Sequence, residues 1–212
     1  MKNIPVTHST PPLITRLMVW GALASLLLLT VGCATNIKPT TAQNPPPKEK
    51  FSAFNRFELH PLLAANATVA EEKAALAKIQ ENLDEQLKSR LDQWNAKPVR
   101  GPSRTLVIEP IVTDLKFVGG GTRFFAGALA GSSAVVMRAR FKDKETQEEV
   151  AYPELYAHAA AMGGAFSVGG TDNAMLVRIA NSLAAYVFTN YKQAVGGPVM
   201  PPEVEAASIA TE

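Results

Sequence analysis

The sequence predicts an α+β fold: a single domain with a mixed or antiparallel sheet of about four strands and two long amphipathic helices packed on one of its faces. Two apolar stripes at helical spacing carry the helices, and one alternating run carries the sheet. In the first stripe Leu76, Ile79, Leu83, Leu87, Leu91 and Trp94 recur at steps of three and four, which lines one side of an α-helix. In the second, Leu176, Ile179, Leu183, Tyr186 or Val187, and Tyr191 do the same. Between the two, Val135, Met137, Ala139 and Phe141 alternate with Arg138, Arg140 and Lys142, the pattern of a strand with one buried face.

Taken in order, the chain begins with an address. Lys2 and Arg16 precede an apolar run from Leu17 to Val31 with no acid before it, and the run closes on Gly32 and Cys33, the only cysteine. A bilayer-spanning helix wants about 20 apolar residues, whereas an export signal needs about 7–15 between a cationic start and a small-residue cut. Residues 1–32 therefore read as a cleaved leader. The end of the run, Thr30-Val31-Gly32-Cys33, resembles the lipobox of bacterial lipoproteins, with threonine where that family usually has leucine. The resemblance implies cleavage before Cys33, its acylation by palmitate-type chains, and a lipid-anchored place at a membrane of the cell envelope. Ala34-Thr35 lack the aspartate that retains such proteins at the inner membrane, which by analogy points to the outer membrane, facing the periplasm.

Removing residues 1–32 takes away Lys2 and Arg16 and no acid, so 21 Lys+Arg become 19 against 19 Asp+Glu. A neutral chain without a basic cluster is not built to bind nucleic acid. One cysteine allows no internal disulfide, and acylation would account for it. Residues 33–50 contain Pro45-Pro46-Pro47 and little apolar surface, which reads as the lipidated cysteine followed by a Pro-rich tether. The α+β domain is expected over 51–195.

Phe57 and Leu59 oppose Arg56, Glu58 and His60, a short first strand placed at an edge by Pro61. Asn66-Ala67-Thr68 matches a glycosylation acceptor that a bacterial chain leaves unused. Thr68-Val69-Ala70-Glu71 has the form of a capping box opening the first helix. On that helix Asp84 and Lys88 stand four apart as a surface pair, and Pro98, Gly101 and Pro102 end it. Thr105 to Val118 reads as a strand pair or one long bent strand, its apolar register changing sides at Pro110: Leu106 and Ile108 before it, Ile111, Leu115 and Phe117 after it. Residues 143–148 make a polar turn and Glu149 to Tyr152 a returning strand. Pro153 to Ala161 fits either a strand or a short helix. Thr171 and Asp172 are candidate N-caps of the final helix, which Gly196-Gly197-Pro198 stops. Residues 196–212 read as a mobile tail.

The segment from Val118 to Ser133 is rich in glycine and holds Gly121, Arg123, Phe124, Phe125, Gly127 and Gly131. It lacks the lysine of a phosphate-binding loop and is too short to span a membrane. A shaped turn, a membrane- or partner-facing hairpin and a ligand site remain open for it. Leu106-Val107-Ile108-Glu109-Pro110, Arg123 to Ser133 and Thr171-Asp172-Asn173-Ala174-Met175-Leu176 together resemble a set of uncharacterised bacterial lipoproteins that share a domain of unknown function. Those domains usually close the middle hairpin with an Asp-x-x-Thr-Gly turn. Here Asp143-Lys144-Glu145-Thr146-Gln147 has glutamine in the last place, so a looser turn is expected. There is also a distant likeness to the small α+β modules of periplasmic assembly lipoproteins.

The resemblance brings no catalytic residue, metal or cofactor with it. The reading it favours is a non-enzymatic envelope adaptor, held to the membrane at Cys33, that contacts an envelope protein through the Arg123–Ser133 loop or the open sheet face. A periplasmic hydrolase using Glu154, His158 or Asp172 is the alternative, without a Gly-x-Ser-x-Gly or His-Glu-x-x-His motif to support it. His158 alone reads as a packed or surface histidine. A third reading has the glycine-rich hairpin entering a membrane in an oligomer, a state the sequence leaves undetermined.

Overall fold

Four rows of strands build the sheet, and prolines break the outer two. The computed structural model describes residues 37–99, 101–118, 133–159 and 170–200. At the centre, β4 (Thr105–Lys116) pairs antiparallel with β5 (Ala134–Asp143). Outside β4 lie β2 (Arg56–Leu59) and β3 (Leu63–Ala64), both parallel to it, with Pro61 between them. Outside β5 lie β6 (Glu149–Ala151) and β7 (Glu154–His158), both antiparallel, with Pro153 between them. The sheet thus has six strands where about four were predicted. The ambiguous stretch after Pro153 is a strand. A separate two-residue ladder joins β1 (Gln43–Asn44) to β8 (Gly197–Pro198).

Proline in an inner strand is tolerated here for a geometric reason. Pro110 opposes Ala139, whose N–H donates away from β4 to Pro153 O. Pro110 therefore directs its own backbone outward, at the same parity as Ile108 and Val112. The carbonyls of those two residues accept from His60 and Ala65. Its missing donor faces the break between β2 and β3, where no acceptor waits. The apolar register does not change there: Leu106, Ile108 and Val112 share the core face, and the switch to Leu115 follows a bulge between Val112 and Asp114. Ile111 is on the other face, contrary to the alternation read from the sequence.

Helices cover one face of this sheet. The first stripe is carried by α1 (Ala67–Glu71), α2 (Lys73–Leu83), a π turn over Asp84–Lys88 and α3 (Ser89–Asn95). The second is α4 (Gly170–Lys192). Ile79, Leu83, Leu87, Leu91, Met175, Ile179 and Leu183 share one core with Val135, Met137, Ala139 and Phe141. The π turn has a clear cause. Residues 79, 83, 87 and 91 are four apart, so on an α-helix of 3.6 residues per turn each step drifts by about 40°. A turn bonded i to i+5 takes up that drift and keeps the leucines pointing at the sheet. It also moves Lys88 off Asp84: Lys88 Nζ pairs with Asp92 at 2.7 Å, and Asp84 accepts from Gln80 Nε2 at 3.0 Å.

Two end signals are corrected. Asn66, not Thr68, caps the first helix, its Oδ1 accepting from Val69 N at 3.0 Å. Asparagine needs no hydroxyl to do this and stands two residues nearer the sheet, where its Nδ2 reaches Thr113 O in the bulge at 3.1 Å. The final helix already starts at Gly170, so Thr171 and Asp172 occupy its first turn. The turn after β5 is firmly held. Asp143 Oδ1 accepts from Glu145 N and Thr146 N, and Gln147 takes φ +61°, the left-handed conformation that glycine would have supplied.

Asn66 thus joins helix and bulge. Asn66→Ala should cost about 1–2 kcal/mol in urea unfolding, and Asn66→Asp, which keeps the cap but not the donor to Thr113, should fall between it and the parent.

Candidate functional site

The outer edge of β7 is where the ends of the fold meet. Residues 33–50 were read as a tether and 196–212 as a tail, yet the described parts of both are built into the domain. The Asn44 side chain behaves like the peptide unit of a neighbouring strand: Nδ2 donates to Glu154 O and Oδ1 accepts from Glu154 N, both at 2.8 Å. Further along, Val199 N donates to Ala42 O and Val199 O accepts from Tyr156 N. Val199 is fully buried, and Asn44 is 5% exposed. Lower down, Lys48 N donates to Val150 O of β6. An unpaired strand edge invites pairing with other chains, and this strap closes it. Asn44 and Pro47, the buried residues of its middle, are one turn apart in the three-residue period of polyproline backbone.

The return from α4 to the strap is shaped by two residues. Asn190, fully buried, donates to Tyr186 O and Gly196 O and accepts from Val195 N and Gly196 N. Gly196 has φ +76°, and a Cβ there would meet Asn44 O at 2.3 Å, so only glycine fits.

Two carboxylates fasten the strap to the sheet: Glu154 of β7, which accepts from Thr40 of the strap and is ion-paired within the sheet to Arg138, and Glu49 of the strap, which is ion-paired to Arg104. Glu154, 5% exposed, receives Thr40 N at 2.5 Å, Thr40 Oγ1 at 2.9 Å and Arg138 Nη2 at 2.8 Å. Burial works to raise its carboxyl, but the Thr40 N–H and the Arg138 guanidinium outweigh it and the net direction is down. At the other end Arg104 grips Glu49 with two bonds, of 2.7 and 3.1 Å, and Asp143 Oδ2 with two more, of 2.6 and 3.1 Å. Its guanidinium carbon also sits 4.4 Å above the Phe54 ring. Burial again pushes the Asp143 carboxyl up, and bonds from Arg104 and from the N–H groups of Thr146 and Glu145 overcome it, holding Asp143 at about 2.

The residues of the hydrolase reading do not form a unit. Glu154 is committed to the strap. His158 lies four positions further along β7, about 13 Å away, with its ring stacked on Tyr156 and its carbonyl accepting from Arg178 Nη2. Asp172 belongs to α4, on the opposite, helical face of the sheet. Among the described residues no three His, Cys, Asp or Glu side chains gather as a metal site, and no helix is long and apolar enough to cross a membrane. Cys33, Gly121, Arg123, Phe124, Phe125, Gly127 and Gly131 lie outside the described residues.

One hollow, missed from the sequence, opens at the far end of the helices. It encloses about 500 Å³ between α3 and the last turn of α4, lined by Arg90, Trp94, Phe188, Tyr191 and Lys192 among others. Trp94 stacks on Tyr191 at 3.9 Å, Phe188 stands edge-on to Trp94 and is 40% exposed, and Arg90 lies over the Phe188 ring at 5.8 Å. The signal available was Phe188, an aromatic residue just off the apolar stripe of α4.

No protein-family model matches the chain, and no curated protein does. Among solved structures it is similar to a Xanthomonas campestris protein of DUF330, at 9% identity over 72% of this chain and 94% of the other, with a TM-score of 0.41. The PelC dodecamer of Paraburkholderia phytofirmans gives 11% identity over 66% and 95%, with a TM-score of 0.36. The lipoprotein GNA1162 of Neisseria meningitidis gives 16% identity over 61% and 96%, with a TM-score of 0.24. At these scores neither a function nor an assembly is carried over.

Two variants test the strap. Asn44→Ala leaves the Glu154 N–H and C=O without their partner and should cost about 2–3 kcal/mol in denaturant unfolding. For the lower clamp, Asp143 is held below its ordinary value of 3.8, so its stabilisation is fully present above about pH 4 and lost as pH falls through about 2. Asp143→Asn should therefore be less stable near neutrality and lose less stability than the parent between about pH 4 and pH 2, measured by urea unfolding at each pH.

Proposed function

We propose that the protein is a lipid-anchored component of a bacterial cell envelope, acylated at Cys33, whose α+β domain acts by binding another envelope component and not by catalysis. The leader carries the reading: a cationic start, an apolar run of signal length and a lipobox-like end on the sole cysteine. The domain's architecture supports it. The buried acid on β7 is bonded to the strap, and the strap fastens the chain to the sheet from Ile37 onward. Ala34-Thr35 after the cysteine favour the outer membrane, with the domain facing the periplasm. The contact surface belongs to the loop holding Gly121, Arg123, Phe124, Phe125, Gly127 and Gly131, with Arg123 as its only charge.

A single experiment addresses anchor and partner together. A photo-crosslinking residue at Phe125, in cells fed a palmitate analogue, should give a labelled, membrane-bound protein and one discrete crosslinked product. With Cys33→Ser added, the label, the membrane fraction and the crosslink should all disappear. A chain that stays membrane-bound without label would overturn the anchor, and a labelled chain with no crosslink would overturn the adaptor.

A further inference from the structure

The strap sets which part of the domain is near the anchor. Tyr156 Oη donates to Ile37 O at 3.2 Å, so the fold holds its chain only four residues after Cys33. Four extended residues reach at most about 14 Å. A free tether as long as residues 33–50 could extend to about 50 Å at polyproline rise.

The strap also has a direction. Residue 42 is bridged through Val199 to Tyr156, residue 44 meets Glu154, residue 48 meets Val150, and Glu49 meets Arg104 beside Asp143. It therefore runs down the sheet, away from the end where β4 finishes, β5 begins and β7 finishes. That upper end is defined by Lys116 opposite Ala134 and Ala134 opposite His158. The opposite end, the turn after Asp143, is about 40 Å from it along the twelve residues of β4.

Two surfaces lie near Ile37: the upper end and the face of the sheet away from the helices. That open face carries Arg138–Glu154, Arg140–Glu149 and Lys142–Glu109 ion pairs, and dehydrating them against lipid is unfavourable. The upper end instead sends out the two connections over 119–132 and 160–169, whose sequences hold a single charged residue, Arg123, among glycine, alanine and aromatic residues.

We infer that the upper end of the sheet, at Lys116, Ser133 and His158, faces the lipid bilayer to which the chain is anchored, with the turn after Asp143 pointing away. The inference rests on acylation at Cys33. Acylation occupies the native thiol, so a single introduced cysteine can be labelled in the full-length lipidated protein. Lys116→Cys, Arg140→Cys and Thr146→Cys, each carrying a fluorophore, are reconstituted in vesicles of phosphatidylethanolamine and phosphatidylglycerol doped with a headgroup spin label.

Quenching should be several-fold stronger at position 116 than at position 146, with 140 between. An insertion of about 15 Gly/Ser residues between Thr35 and Asn36, with a coil span of roughly 20 Å, should erase the difference. Strongest quenching at 140 or 146, equal quenching at all three, or a gradient that survives the insertion would overturn the orientation while leaving the anchor intact. Failure of the parent chain to take up a palmitate analogue in cells would remove the anchor itself.

Discussion

An exposed strand edge is an unfinished hydrogen-bond ladder, and this fold is arranged around finishing one. β7 has β5 on one side only, so its outward peptide groups at Glu154 and Tyr156 need partners from elsewhere. They come from both ends of the described chain, through the Asn44 side chain and Val199. Bringing the two ends together dictates the conformation of Gly196, the fully bonded Asn190 under it, and the burial of Val199. The Arg104 clamp then fastens the lower part of the same segment just before Phe51 enters the core and stacks on Phe141 at 4.9 Å.

What the sequence disclosed is what short-range periodicity encodes. The leucine stripe, the alternation of Val135 to Phe141 and the α+β class all rest on residues a few positions apart, and these elements are where they were expected. The strap was not legible because its partners are 110 residues away and one of them is a side-chain amide posing as backbone. Pro45-Pro46-Pro47 looks the same in a free tether and in a docked strap. Local chemistry misled in two further places. Thr68 satisfied a capping pattern, but Asn66 could cap and reach Thr113 at once. Pro110 suggested a bend because proline lacks a donor, but its nitrogen faces a gap between strands where none is needed.

The candidate site residues divide along the same line. From the sequence Glu154 is only one of the three residues of the hydrolase alternative; it is buried and ion-paired, but what it binds is the chain's own Thr40 and Arg138. A carboxylate with its acceptor positions already filled and its proton affinity lowered is a fastening, since general acid catalysis asks for the opposite shift. The hollow at Trp94 and Phe188 escaped notice because its residues belong to two helices distant in sequence, and either helix alone shows only the edge of a core stripe.

The two ends of the sheet are consequently unlike in chemistry, and the strap is what orders them. Toward the upper end, Ile37, the first described residue, accepts from Tyr156, and the sequences of residues 119–132 and 160–169 are almost uncharged. At the lower end stand the Asp143–Glu148 turn, pinned by Arg104 and by the Lys144–Glu58 pair, and the aromatic hollow beside Phe57. A segment that merely tethered the domain would leave both ends free to meet a membrane. One hydrogen-bonded to the sheet at Val150, at Glu154 and, through Val199, at Tyr156 gives the domain an end near Ile37 and an end far from it. The same hydrogen bonds that stabilise the edge of β7 therefore define how the domain is presented.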